Sequence, residues 1–455
     1  MRVYSFPRGG LSFEDPTVPS RDSSEIAYLP ALSVIPLIQH TGGRAYPIVS
    51  VGDQVKEGML IGRGQGMGSA NIHATVPGKV IRMVSWKMAE GQTNDALVIR
   101  MEGSFEKLGR REEIYPWAAL SPFELQRLIS ESGIVEMEGS GRPIPDILSA
   151  LRSAREPFTL VVRCVFDDPW LAADYALCQE RLQAVVEGSA IIARVAAVSR
   201  IVFAFSHGEK GIGERFLAES AIYGIPASLV LTGNRYPQRN RRELELVLRN
   251  YEKRESLELG SLLVLGPATL AAIHDAVKLK KPILDRYVAV GGSAVKYPQV
   301  MKVRIGTRIG EVFAECGGFI DRPRRIATGS PLLGRTVVDL DEPVIKSSYA
   351  VFALLEGQVG GSVPRNCISC GECRMVCPVG LDPEELFKKV GRKKPGSVPG
   401  GGDGGAGGTD GGAGLDGVPI ESRLNECHGC GCCEVVCPSR LPLSTVILDA
   451  AARGR

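Results

Sequence analysis

Eight of the 12 cysteines in this 455-residue chain form two runs near its C-terminal end. Both runs follow the pattern C-x2-C-x2-C-x3-C-P, which is a ligand spacing of [4Fe–4S] clusters. The eight cysteines are Cys367, Cys370, Cys373 and Cys377 in the first run and Cys427, Cys430, Cys433 and Cys437 in the second. Two such clusters would carry out one-electron transfer, which needs no acid–base side chains.

The spacing within each run predicts how the ligands are shared. Three thiolates in a tight loop can wrap one face of a cubane, whereas the fourth cysteine begins a helix that leads away from it. Proline after the fourth cysteine suits the first turn of that helix, where a missing N–H costs little. We therefore predict crossed ligation, in which Cys437 completes the cluster of the first run and Cys377 completes that of the second.

A structural zinc site is the alternative interpretation of these cysteines. Zinc usually takes two pairs of ligands, without the third cysteine and the trailing proline of each run. The duplicated full pattern therefore favours two [4Fe–4S] clusters. Cys432 is one thiol more than two clusters need, and we interpret it as a spare residue.

The rest of the chain must position these cysteines, and its patterns predict a multidomain α/β plus β protein. Residues 1–105 alternate short apolar strands with Gly and Asp turns, which favours a barrel-sandwich module. Residues 120–285 alternate strands with helices, which favours a parallel sheet. Residues 286–350 suggest a β-grasp module. A ferredoxin domain at 358–455 would contain a Gly-rich insertion, residues 396–418, whose composition predicts disorder.

Composition argues against several classes of protein. The chain has 54 basic and 51 acidic residues, a net charge of +3, so it lacks the basic excess of a nucleic-acid binder. It has no run of about 18 uncharged apolar residues that could cross a membrane. Its first residues lack the apolar core of a signal peptide. We expect a cytosolic chain without a transmembrane segment of its own, which contacts a membrane only through partners.

The order of these modules and several short motifs resemble the RnfC family, the C subunits of Rnf-type ion-translocating electron-transport complexes. The resemblance extends over nearly the whole chain. Besides the cysteine runs, the matching stretches are Phe6-Pro-Arg-Gly-Gly10, Ile35-Pro-Leu-Ile-Gln-His40, Val51-Gly-Asp53, His73-Ala74, Tyr236-Pro-Gln238 and Arg304-Ile-Gly-Thr307. The resemblance implies an α/β domain like that of the complex I flavoprotein and an SLBB-like β-grasp module. It also implies a peripheral subunit on the cytoplasmic side of the inner (plasma) membrane.

The family binds FMN and NADH through a loop of sequence G-x-G-G-A-G-F-P-T, and this chain departs from that pattern. The corresponding stretch reads E-M-E-G-S-G-R-P-I and retains only Gly139, Gly141 and Pro143 of that pattern, and Asp168 remains from an acidic turn. The added carboxylates of Glu136 and Glu138 would repel a flavin phosphate. We therefore treat FMN and NADH as doubtful cofactors, and we expect electrons to enter from another protein, such as a ferredoxin or a flavodoxin.

The leading hypothesis is an electron-transfer subunit of a membrane-associated Rnf-type complex, an oxidoreductase that couples electron transport to ion translocation. Its partners would be the membrane subunits of that complex. A soluble iron–sulfur protein or flavoprotein similar to cobalamin reductases is the alternative, although the altered flavin loop weighs against it. A docking protein that only keeps the fold is a third possibility, and the intact eight cysteines argue against it.

Overall fold

The structure is a computed structural model, and it describes residues 2–103, 105, 116–138, 141–152, 157–330, 332–356, 364–391 and 420–453. Two features of the sequence analysis, Gly139 and the Gly-rich insertion at 396–418, lie outside the described residues. Within the described part, no helix is both long and apolar enough to cross a bilayer.

The first module is a β-structure of two facing antiparallel sheets. The strands up to Met101 are β1 Val3–Tyr4, β2 Glu25–Ile26, β3 Leu32–Pro36, β4 Tyr46–Pro47, β5 Gln54–Val55, β6 Leu60–Arg63, β7 Ile72–His73, β8 Gly78–Lys87 and β9 Thr93–Met101. One sheet has the order β3-β9-β8-β5 and the other has the order β4-β6-β7. Apolar side chains of both sheets, including Ile35, Ile61 and Leu97, form the core. The first two strands leave this module and join other sheets.

An α/β domain follows the β-structure. Its elements are α1 Pro122–Glu131, α2 Ile144–Arg152, β10 Phe158–Cys164, α3 Ala172–Glu180, α4 Leu182–Val195, β11 Arg200–Ser206, α5 Lys210–Ser220, β12 Ala227–Thr232, α6 Arg241–Glu255, β13 Ser261–Leu265 and α7 Pro267–Lys278. Its sheet is parallel throughout, in the order β1-β12-β11-β10-β13. Alternate strand residues face α4, α5 and α7 on one side and α6 on the other. Burial on both faces explains why these strands are apolar almost throughout.

The order of the strands reverses beside β10. Strands β11 and β12 lie on one side of β10, whereas β13, which follows them in the chain, lies on the other side. In open α/β sheets, ligands bind outside the carboxyl ends of the strands at such a reversal. Here Gly266 alone separates the end of β13 from the start of α7.

A β-grasp module covers that end of the sheet. Its elements are β14 Asp285–Gly291, β15 Gln299–Arg304, α8 Ile309–Glu315, β16 Arg325–Thr328, β17 Arg335–Thr336 and β18 Ala350–Leu354. The sheet has the order β17-β16-β18-β14-β15-β2, so the second strand of the chain forms its edge. Val312 and Phe313 of α8 pack on Val288 and Val303 of the sheet.

The C-terminal module consists of two similar halves. Its helices are α9 Glu372–Met375, α10 Pro383–Gly391, α11 Ile420–Glu426, α12 Cys432–Val435 and α13 Leu443–Arg453. In each half a cysteine-containing loop leads into a one-turn helix, α9 or α12, and then into a longer helix, α10 or α13. The fourth cysteine of each run lies after the one-turn helix and before a turn, so the prediction that it begins a helix is wrong. The two longer helices pack on each other, so the halves share one small apolar core.

Candidate metal centres and the adjoining cavity

The loops of the two cysteine runs have the same backbone conformation. Two residues after the first cysteine, Ser369 and Gly429 have φ angles of 53° and 69°. Two residues further on, Gly371 and Gly431 have φ angles of 80° and 77°. Left-handed backbone favours glycine, and it lets each loop curl inward around its cysteines. The repeat in sequence is therefore also a repeat in local structure.

The first cavity combines cysteines from both runs. It is small and is lined by Cys367, Cys370, Cys373 and Cys437. Backbone N–H groups point at two of the sulfurs. Ser369 N–H donates to Cys367 Sγ at 3.4 Å, and Leu441 N–H donates to Cys437 Sγ at 3.4 Å.

The remaining four predicted ligands also lie together. Cys377 packs with Cys427 in the apolar core between α10, α11 and α13. Its thiol is close enough to those of Cys430 and Cys433 to interact electrostatically. Leu381 N–H donates to Cys377 Sγ at 3.3 Å. The structure thus places three cysteines of one run with the fourth cysteine of the other run in both sets.

Both sets fit [4Fe–4S] clusters in their chemistry. Each offers four thiols, and N–H groups directed at sulfur are the hydrogen bonds that tune such clusters. The two sets differ in their surroundings. Cys370 is exposed, and beside it Ile368 and Met375 are 68% and 74% exposed. Cys373 of this set is buried, as are Cys377 and Cys433 of the other set, and none of the four cysteines of the other set is exposed.

A cavity of about 830 Å³ lies at the reversal of the strand order, between the α/β domain and the β-grasp module. Charged side chains of both signs line it, among them Arg163, Asp167 and Arg239. Arg239 donates its backbone N–H to Asp167 Oδ2 at 2.8 Å and its guanidinium to Asp174 Oδ2 at 3.1 Å. The cavity therefore offers charged groups for a polar part of a ligand beside an apolar lining that includes Leu262 and Leu263.

Burial shifts the charge states of these groups. It raises the pKa of Asp167 to about 7 and also raises the pKa of Asp174. It lowers the pKa of the Arg163 guanidinium to about 10. Asp167 can therefore bind or release a proton near neutral pH, whereas Arg163 stays charged.

The predicted flavin-site residues are not gathered around one ligand. Asp168 lines the cavity, where its carboxylate accepts the Trp170 N–H at 2.9 Å and burial raises its pKa. Gly141, with a φ of 66°, lies against the first module instead, and its carbonyl accepts the Thr41 N–H at 3.1 Å. A Cβ at Gly141 would come within 2.8 Å of Thr41 Oγ1. Glycine at this position thus permits the close contact between the α/β domain and the first module.

The described residues do not fit a flavin phosphate at the start of α7. The carboxylate of Glu138 already occupies this position, where it accepts the backbone N–H of Thr269 at 2.9 Å and also the Thr269 hydroxyl. A helix N-terminus is a favourable place for an anion, and here the chain supplies that anion itself.

The cavity adjoins the second set of cysteines. Tyr236 lines the cavity and donates its hydroxyl to the Cys430 carbonyl at 2.8 Å. Asn240 also lines it, and its Nδ2 lies 2.8 Å from Nδ1 of His428. One layer of side chains therefore separates the cavity from the loop of the second run.

Sequence reasoning missed two arginines of the cavity, the buried Arg163 and the partly buried Arg239. Arg163 is a single charge within β10, whose other residues are all buried and mostly apolar. A charged residue in a fully buried strand needs a compensating partner or ligand. Arg163 could therefore have been recognised from the sequence as a candidate site residue. Arg239 had no comparable signal, because its partners Asp167 and Asp174 are distant in sequence.

Four family models match successive parts of the chain. They are the RnfC barrel sandwich hybrid domain at residues 6–104, the Nuo51 FMN-binding domain at 129–275, the SLBB domain at 287–336 and the 4Fe-4S dicluster domain at 364–441. These matches confirm the predicted fold class and its order of modules, although the predicted domain boundaries stay a prediction. They also support the iron–sulfur clusters over the zinc alternative.

The chain is also similar to known proteins along most of its length. It is 31% identical to the C subunit of the ion-translocating oxidoreductase complex of Rhodobacter capsulatus, over 84% of this chain and 74% of that relative. It is 30% identical to the C subunit of the proton-translocating ferredoxin:NAD(+) oxidoreductase complex of Clostridium ljungdahlii, over 83% of both chains. The C subunit of the corresponding Na(+)-translocating complex of Acetobacterium woodii is 28% identical over 78% of this chain and 80% of its own.

Proposed function

Because this chain belongs to the family of C subunits of ion-translocating oxidoreductase complexes, we propose that it is the electron-relay subunit of a membrane-associated complex of this type. Two sets of cysteines, each drawing three from one run and one from the other, carry the proposal. Bound [4Fe–4S] clusters would supply one-electron transfer at these sets. The remaining subunits of such a complex, including membrane subunits, are the expected partners.

The two sets of cysteines differ in how open they are to solvent, so we assign them to opposite ends of the electron relay. The set with Cys370 faces solvent beside the exposed apolar side chains of Ile368 and Met375, which suits brief contact with another redox protein. The other set lies behind Tyr236 and the cavity. We place the chain at the cytoplasmic face of the membrane, where a ferredoxin or a flavodoxin can reach Cys370.

The donor is then a protein rather than NADH. This step of the proposal is supported by the altered flavin loop and by the Glu138 carboxylate at the start of α7. Neither feature affects the eight cysteines, so the relay does not depend on a flavin in this chain.

An anaerobic reduction experiment tests the relay. The holoprotein is incubated with FMN, unbound FMN is removed, and cluster absorbance and EPR are followed after adding NADH or reduced ferredoxin, with dithionite as the control. We expect reduction by ferredoxin and dithionite and no response to NADH. Prompt reduction by NADH, with about one flavin retained per chain, would instead identify an NADH-entry subunit that uses a flavin.

A further inference from the structure

Glu138 occupies the place at which the α/β fold offers an anion site. Helix α7 begins at Pro267 directly after β13, where the strand order reverses, and its first N–H groups lack partners within the helix. One carboxylate oxygen of Glu138 accepts the Thr269 N–H and the other accepts the Thr269 hydroxyl. Gly266 provides the space, since a Cβ there would collide with this carboxylate.

The charges around Glu138 would hold an anion here even without it. Arg163, only 8% exposed, lines the cavity and donates to the Glu138 carbonyl at 2.7 Å. Its Nε has no hydrogen-bond partner among the described residues. Arg286 is 3% exposed and lies within electrostatic reach of the Glu138 carboxylate. Glu136 also lies 3.9 Å from the Arg163 guanidinium, so removing the Glu138 carboxylate would leave partly compensated guanidinium charge and the Thr269 N–H facing the same space.

We propose that Glu138 is a built-in anion that replaces the phosphate of a nucleotide ligand and so excludes phosphorylated ligands from this end of the cavity. The loop that carries Glu138 is the counterpart of the flavin loop in the family. FMN is therefore the ligand whose binding the Glu138 carboxylate should weaken most directly. The inference deepens the proposed function, in which the relay needs no flavin. The cavity remains open to polar molecules that present no phosphate to α7.

Comparing FMN with riboflavin isolates the phosphate, because the two differ only in that group. The holoprotein is titrated with each flavin, and binding is followed by flavin fluorescence. We expect the wild type to bind FMN no more tightly than riboflavin. Glu138→Gly and the isosteric Glu138→Gln should raise the affinity for FMN about tenfold or more and change that for riboflavin by less than about twofold.

The matched control is Glu136→Gln, which removes a charge of the same loop 3.9 Å from the Arg163 guanidinium but leaves the Glu138 carboxylate at the start of α7. It should raise the affinity for FMN clearly less than Glu138→Gln does, because the Glu138 carboxylate still occupies the Thr269 N–H. Cluster absorbance and far-UV circular dichroism verify each variant, and Glu138→Gln answers the question if Glu138→Gly does not fold.

Three results would overturn the proposal. One is a wild type that prefers FMN over riboflavin in a manner that inorganic phosphate competes away. The second is a folded Glu138→Gln protein with no gain for FMN, and the third is an equal gain in Glu136→Gln. None of them bears on the relay, which is judged separately from reduction of the wild-type clusters by ferredoxin and dithionite.

Discussion

Cys377 and Cys437, the fourth cysteines of the two runs, each lie with three cysteines of the opposite run. Each is followed four positions later by a leucine, Leu381 or Leu441, whose N–H donates to the cysteine sulfur at 3.3 or 3.4 Å. The same local hydrogen bond therefore orients both fourth cysteines toward the opposite run. Although the clusters are supported by the family match, the assignment of individual ligands stays a prediction.

Paired cysteine variants test the crossed assignment. If Cys370 and Cys437 bind the same cluster, the double variant Cys370→Ala/Cys437→Ala loses one cluster and keeps about four iron atoms per chain. The variant Cys430→Ala/Cys437→Ala should lose both clusters, because its substitutions fall on different ones. Iron and sulfide analysis with EPR spin counting after anaerobic reconstitution measures the difference.

The control for this experiment is Cys430→Ala/Cys377→Ala, which should also keep one cluster. Ligation within each run would give the reverse pattern, with both clusters lost from Cys370→Ala/Cys437→Ala and one retained in Cys430→Ala/Cys437→Ala.

At the scale of elements, the N-terminal segment Phe6–Gly10 joins the α/β domain to the iron–sulfur module. The Arg235 guanidinium donates to the carbonyls of Phe6 and Gly9 at 2.6 and 2.7 Å and lies 4.5 Å from the centre of the Phe6 ring. The Gly10 N–H donates to the Val376 carbonyl at 2.9 Å. This segment was one of the motifs behind the family resemblance, and the structure gives it a physical role.

Gly9→Ala should weaken this junction. Gly9 has a φ of 64°, and a Cβ there would lie 2.7 Å from the backbone carbonyl of Cys377. Both the left-handed conformation and the contact with backbone atoms are costly for alanine. We therefore expect a loss of about 1–3 kcal/mol in stability and faster loss of the cluster that Cys377 is predicted to bind. Thermal unfolding and cluster absorbance over time measure both effects.

The control for Gly9→Ala is Gly66→Ala. Gly66 has a φ of 73°, but an added Cβ would meet nothing within 4 Å. The control therefore carries the backbone strain without the contact and should keep its clusters. Equal cluster loss in the two variants would contradict the role assigned to Gly9.

At the scale of the whole molecule, the modules meet at the cavity. Strands β10 and β13 form one side, the β-grasp module forms another, and Tyr236 and Asn240 connect it to the second cysteine run. The N-terminal strands β1 and β2 extend the sheets of two other modules, which ties the start of the chain to the rest. A substitution that unfolds one module should therefore also destabilise the modules packed against it.

The Gly-rich insertion should be an exception to this coupling. It lies outside the described residues, and the helices on either side of it, α10 and α11, both pack against α13. The two halves of the iron–sulfur module are thus held together by packing rather than by the connection. Deleting residues 400–414 should leave both clusters assembled, because long surface connections contribute little to stability.

EPR and iron content of the reconstituted deletion variant measure this expectation. Loss of either cluster signal would contradict it. A variant in which the same stretch is replaced by an unrelated Gly/Ser sequence of equal length controls for handling during reconstitution.

The amino-acid sequence was enough to predict the eight cysteine ligands, the order of the modules and the family. These features are encoded locally, since ligand spacing and strand or helix periodicity involve residues close together in the chain. The folded chain was needed to show that Glu138 reaches Thr269, that Arg239 pairs with Asp174 and that β1 pairs with β12. Such contacts join distant segments, so they depend on how the modules fold and pack rather than on any local pattern.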